Sequence, residues 1–246
     1  MNQPLSLLRL RPDREALSRW AAERRFPGSK ADLGYVWHSL LKATLGEFAP
    51  QPFVDRIGVD SDELLGYSAA APDVLLRLAK DESHDSSAVA AIRLENIVAN
   101  DLPVSWSAGR FLSFEVRARP VVRSRSNPRS GNTDEIDVAP HRAAREPGVT
   151  REQAYVDWLA AQVSRDGAAV LEIARLHAFS RTRVVRRIGD GNDRRWISVE
   201  GPDAWMRGRL RVIDSDAFNA LLRRGIGRHR AFGFGCLLIA PPGVLE

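Results

Sequence analysis

From Arg110 to Ala240 the apolar pattern switches between a period of two and a period near 3.6 residues, and each switch carries a turn or cap residue. Arg110–Val122 alternates strictly: Phe111, Ser113, Glu115 and Arg117 lie on one face and Leu112, Phe114, Val116 and Ala118 on the other. Thr150–Val163 predicts a helix, opened by a capping box of Thr150 with Gln153 and carrying Tyr155, Trp158, Leu159 and Val163. Ala168–Arg187 and Trp196–Ile213 read as strands about an Ile188–Asp193 turn, whose Asp190-Gly191 pair suits a hairpin. Asp214 caps a further helix to Arg224, glycines follow, and Phe234–Ala240 is an apolar strand.

The order is strand, helix, strand, strand, helix, strand, which is that of a ferredoxin-like sheet carrying two helices. The first half repeats it less sharply. Ser6–Arg11 is a strand candidate and Asp13–Arg25 a helix ended by Pro27-Gly28. Asp32 caps a helix to about Leu45. Strands are expected near Phe53–Val59 and Glu63–Ala69, a helix over Pro72–Lys80, and a strand within Ala88–Val98. Ser124–Pro147 has no period and reads as a loop. The expected fold is α+β with two tandem ferredoxin-like (RRM-like) β-α-β-β-α-β domains, residues 1–105 and 106–246.

Charge divides along the same line. Residues 1–109 carry 12 basic and 15 acidic side chains, and residues 110–246 carry 24 and 16. The formal excess of +5 therefore belongs to the second half, as expected for a protein that meets a polyanion. All basic residues except Lys30, Lys42 and Lys80 are arginine, whose planar fork fits phosphate. A GC-rich genome would also raise the arginine share, but not its placement. Arg117, Arg119, Arg123, Arg125 and Arg129 form one cluster, and Arg181, Arg183, Arg186, Arg187, Arg194 and Arg195 another. The single cysteine, Cys236, excludes a disulfide framework and a cysteine-rich zinc scaffold. With no apolar run of about 18 residues and no secretory signal, a cytoplasmic protein without membrane, metal or cofactor is expected.

The segment Arg223–Pro242 sets Gly225, Gly227, Gly233 and Gly235 around the basic tripeptide Arg228-His229-Arg230. Glycines let a backbone approach a phosphodiester, and the basic side chains add charge-assisted contacts. A dinucleotide fingerprint is excluded, because Arg230 stands where its third glycine would be and the segment runs from helix to strand.

In the helix beginning near Leu33, residues advance by about 100° each. Leu33, Val36, Trp37, Leu40, Leu41 and Leu45 form an apolar face. Tyr35, His38 and Lys42 fall together on the opposite side, where either a solvated face or a site is possible.

The glycine segment resembles the C-terminal signature of the CasE-type CRISPR RNA-processing endoribonucleases of the RAMP superfamily. Tyr35-Val36-Trp37-His38 resembles the family's Tyr-x-x-His, Arg110–Pro120 the strand that opens its second domain, and Ala154–Leu159 the helix that follows. The resemblance implies tandem ferredoxin-like domains in a type I-E or related type IV system. It also implies binding of the repeat stem-loop in precursor and mature CRISPR RNA, metal-independent cleavage, and assembly with other Cas proteins. On that footing His38 is expected as general base or acid, Tyr35 positions ribose or phosphate, and Lys42 or an arginine steadies the phosphorane. Ala43 stands where some family members carry lysine, and the additional Asp13–Lys30 segment brings Arg19, Arg24 and Arg25, expected either to contact RNA or to replace that missing cation. The expected RNA surface is completed by Arg123 and Arg125, by the second arginine cluster with its hairpin, and by the four glycines with Arg228, His229 and Arg230. A non-catalytic subunit that binds CRISPR RNA is the competing expectation.

Overall fold

The structure, a computed structural model, describes residues 5–24, 26, 33–56, 63–78, 85–124, 134–188 and 195–245. The first half contains β1 (Ser6–Leu10), α1 (Arg14–Glu23), α2 (Leu33–Leu45), β2 (Phe53–Arg56), β3 (Glu63–Ser68), α3 (Pro72–Leu78), α4 (Ser86–Ile92) and β4 (Val98–Asp101). Its strands form an antiparallel sheet in the order β2-β3-β1-β4. The second half contains β5 (Phe111–Ala118), β6 (Val121–Ser124), β7 (Asp134–Asp137), α5 (Val138–Ala143), α6 (Arg151–Val163), β8 (Ala169–Ile188), β9 (Arg195–Val212), α7 (Ser215–Arg224) and β10 (Leu237–Ala240). Its main sheet has the order β10-β5-β9-β8. Setting aside the small β6–β7 hairpin, each sheet places its fourth strand beside the first, then the third, then the second. The fold is α+β with two tandem ferredoxin-like units.

Side-chain alternation sorts the cores. Leu8, Leu10, Phe53 and Leu64 are buried with Leu17 and Trp20 of α1, Trp37, Leu40 and Leu41 of α2, and Ala88, Ala91 and Ile92 of α4. Their neighbours Leu5, Val54, Leu65 and Tyr67 instead join the core of the second unit, with Phe114, Tyr155, Phe218, Ile226 and Leu238. The first sheet is therefore apolar on both faces, and the two units share a continuous interface. Polar contacts fix it: the Tyr67 hydroxyl donates to the Leu237 carbonyl at 2.7 Å. The buried Glu115 carboxylate lies 3.3 Å from the Arg56 guanidinium of the first unit and 2.6 Å from that of Arg207. Burial pushes the Tyr67 hydroxyl pKa well up, so it remains a donor.

Three expectations need correction. Ala88–Val98 is not a strand. Asp85 caps a helix by accepting from the Ser87 and Ala88 amides, and Ala88, Ala91 and Ile92 have helical spacing. The edge strand is β4, which pairs with β1. Ser124–Pro147 is not simply a loop: β7 pairs with β6 from Asp134 to Asp137, and Asp137 then caps α5. The Asp137 carboxylate also accepts from Tyr155 and Arg151 at 2.9 Å each, so α6 anchors this short insertion. The last strand is shorter than expected, because Phe234–Cys236 belongs to the loop before it.

β5 pairs with β9 only from Ala204 to Arg211. Beyond that point β8 and β9 continue as a two-stranded ribbon, from Phe179 and Ala204 out to Ile188 and Arg195. The expected Asp190-Gly191 turn lies outside the described residues. Among the described residues no helix is long and apolar enough to cross a membrane.

Candidate functional site

Three sequence-distant elements meet at one seam: helix α2, the ribbon, and the glycine loop between α7 and β10. The loop is shaped by backbone packing. The Ile226 amide donates to the Gly235 carbonyl at 2.8 Å, and the Gly235 amide to the Arg117 carbonyl at 2.7 Å. Gly235 has φ +77°, and a Cβ there would sit 2.2 Å from the Ile226 carbonyl oxygen. Gly225 is equally confined, its Cβ position being 2.7 Å from the Gly235 carbonyl. Gly225, Gly233 and Gly235 are buried, and Gly227 packs on Trp158. These glycines are required for the loop to close on itself.

The closed loop carries a short 3-10 turn, Arg230–Phe232, that faces α2. Phe232 lies 5.7 Å from the His38 ring and 6.3 Å from Tyr35, nearly parallel to it at 17°. Tyr35 also meets Trp196 of the ribbon edge-on at 4.8 Å and Phe26 at 5.4 Å. The polar face of α2 is therefore not simply solvated: Tyr35 and His38 are half-buried against the second unit, and Lys42 is exposed one turn further on. Burial lowers the His38 pKa, and the Lys42 ammonium lowers it further. A neutral imidazole is the result near neutral pH.

A cleft of about 150 Å³ opens at the seam, lined by Leu33, Gly34 and Trp37 of α2, Thr182 and Arg183 of the ribbon, Phe232–Phe234, Asp55 and Arg117. A broader hollow of about 340 Å³ is lined by Gln51, Arg123 and Gly227–Phe232. Phe232 belongs to both, and it touches both residues of the Tyr-x-x-His pair.

The basic residues divide by task. Arg181 and Arg183 are exposed on the ribbon and share Glu200 at 2.9 and 3.6 Å, which lowers the Glu200 pKa. Arg123 is exposed beside the loop. Arg228 and His229 instead hold Glu135 of β7, at 2.6 and 2.7 Å. Burial would raise the Glu135 pKa, but the hydrogen bond and charge of His229, then Arg228, outweigh it and hold it at about 2. His229 is buried and so belongs to the frame of the loop. Arg230 donates to the Arg224 carbonyl. Arg24 pairs with Asp85, and its guanidinium lies 4.4 Å over the Trp20 ring. Arg186, Arg187 and Arg195 occupy ribbon positions opposite Ile197, Trp196 and Ile188. Arg25, Arg125 and Arg194 lie outside the described residues.

Arg119 is fully buried. It donates to the carbonyls of Pro202, Val199 and Thr182, and its guanidinium lies 5.3 Å over Phe234. Arg117 grips Asp203 with two bonds of 2.9 and 2.6 Å. Both arginines tie the root of the ribbon to β5 and the residue just beyond it.

A family model described as CRISPR associated protein matches residues 5–241. The chain belongs to that family. This CRISPR-associated protein has the fold of the CRISPR endoribonuclease Cse3 bound to a 19-nucleotide RNA, with 20% identity, 97% of this chain and 100% of that one covered, and a TM-score of 0.62. Cas6e from Escherichia coli str. K-12 is similar at 20% identity, 97% and 99% coverage and a TM-score of 0.52. A chain of a CRISPR RNA-guided surveillance complex shares 17% identity over 96% and 99%, with a TM-score of 0.56. No curated protein matches this chain at a significant level.

Proposed function

We propose that this protein is a metal-independent endoribonuclease of the CasE type, which cleaves precursor CRISPR RNA at its repeat hairpins. It then keeps the product bound within an effector complex of Cas proteins. The observation that carries this reading is His38: a half-buried imidazole with a lowered pKa, beside Tyr35, at the seam of helix, glycine loop and arginine ribbon. RNA supplies its own nucleophile. His38 takes the proton of the 2′-hydroxyl as its oxygen attacks the adjacent phosphorus. The bond to the 5′-oxygen breaks, that oxygen gains a proton, and the products end in a 2′,3′-cyclic phosphate and a 5′-hydroxyl. Tyr35 positions the reacting ribose, and a cation at the seam, Lys42 or Arg183, stabilises the phosphorane. The endoribonuclease and RNA-bound structures that share the fold support the same assignment.

The pH profile of kcat/KM tests it, because that ratio reports ionisation of the free enzyme. A base acts only when deprotonated. Since burial lowers the His38 pKa, the rate should rise with pH through a midpoint below 6.5 and be level above it. A rate that falls across the same range would contradict the role of base.

A further inference from the structure

The ribbon has a packed face and an open one. Val184 pairs with Val199 on the first, where Val184 is 1% exposed. Arg183 pairs with Glu200 on the second, and strand alternation places Ser198 and Trp196 with Glu200, all exposed. A tryptophan on the open face is unusual in this molecule. Trp196 is 38% exposed, whereas Trp20, Trp37 and Trp106 are 1%, 1% and 6% exposed. Its ring is nevertheless held in place, edge-on to Tyr35 at 4.8 Å with an interplanar angle of 80°. Tyr35 in turn stacks on Phe232, which contacts His38. An exposed indole thus connects the arginine face of the ribbon to the histidine through a chain of aromatic contacts.

We propose that Trp196 is a stacking platform for an unpaired nucleobase, which it holds beside Tyr35 and His38 so that the adjoining phosphodiester reaches the imidazole. The inference rests on the RNA-cleavage reading and deepens it. Bases in a duplex already stack on one another, whereas an unpaired base next to a stem is available to an aromatic side chain. Arg181 and Arg183 on the same face supply the charge that draws a phosphate backbone past the ring. Trp196 is therefore a positioning residue: it acts on the nucleotide's orientation and exchanges no proton.

The test uses a repeat hairpin RNA with 2-aminopurine at the unpaired nucleotide beside the cut and a 2′-deoxy residue that blocks attack. Full-length wild-type protein and Trp196→Phe should quench the fluorophore on binding, and Trp196→Ala should not. With all-ribose RNA, Trp196→Ala should lose about 5- to 150-fold in kcat/KM, the range expected for one base stack. Phenylalanine should restore most of that loss. Bound RNA whose fluorophore is never quenched, or is quenched equally by the alanine variant, overturns the inference and leaves the cleavage reading standing. Failure of the wild-type protein to bind the RNA overturns both. A protein partner that protects Trp196 while RNA leaves it unaffected also overturns the inference.

Discussion

His38→Ala should slow cleavage of repeat RNA by about 10²- to 10⁴-fold, the usual contribution of one positioned acid or base. RNA affinity should change by no more than about threefold, because the loss lies in a transition-state interaction. The thermal midpoint should move by no more than about 3 °C, since the side chain is half-buried and meets the Phe232 ring at a tilt, 5.7 Å between centroids. The separation follows from geometry. The second turn of α2 is held from behind by Trp37, Leu40 and Leu41, all buried in the first core. The helix therefore stays in place when the imidazole is removed. Single-turnover cleavage with parallel binding measurements checks this, and equal losses in affinity and rate would show that His38 serves RNA binding instead.

Gly235→Ala should destabilise the protein by about 3–5 kcal/mol, a drop in thermal midpoint of about 6–20 °C. Two costs add. At φ +77° an L-residue loses about 1–2 kcal/mol. The new Cβ also meets the Ile226 carbonyl oxygen at 2.2 Å, a backbone atom already committed to the loop. The internal control is Gly148→Ala. Gly148 has φ +91° but nothing within 4 Å of its Cβ position, so only the conformational cost of about 1–2 kcal/mol applies. Thermal unfolding of both variants measures the contrast. A Gly235→Ala midpoint equal to that of Gly148→Ala would show that the loop does not need its close backbone approach. The catalytic consequence is separate: a displaced loop carries Phe232 away from Tyr35 and His38, so the folded fraction of the variant should also cleave slowly.

Most of the second sheet is legible in the sequence because its boundaries have local causes; the start of β10 is the exception, since Phe234–Cys236 continues the apolar run but belongs to the loop. β5 alternates cleanly, and Thr150 and Asp214 cap α6 and α7 by accepting from the Gln153 and Ala217 amides. α4 and the β6–β7 insertion are not legible, because they are short and depend on distant contacts. The Glu135 carboxylate that anchors β7 is held by residues 228 and 229, and no local pattern announces such a pairing. The wheel of α2 isolates Tyr35, His38 and Lys42 correctly as one face. It does not reveal that Phe232 and Trp196 cover that face, since both come from the other unit. The arginine count proved the least selective signal. Arg117, Arg119 and Arg228 share a composition with Arg181 and Arg183, yet the first three hold the protein together and the last two lie exposed on the ribbon. The glycines likewise carry a packing requirement that spacing alone does not separate from phosphate binding.

Whether RNA is cut at the α2 seam by its own 2′-hydroxyl, with His38 as the base, is decided by single-turnover cleavage in EDTA of an all-ribose repeat hairpin beside one carrying a single 2′-deoxy residue at the cut. The first should be cleaved to a 2′,3′-cyclic phosphate and a 5′-hydroxyl, and the second should bind tightly without being cleaved. Cleavage of the deoxy substrate, or wild-type dependence on a divalent cation, would rule this mechanism out.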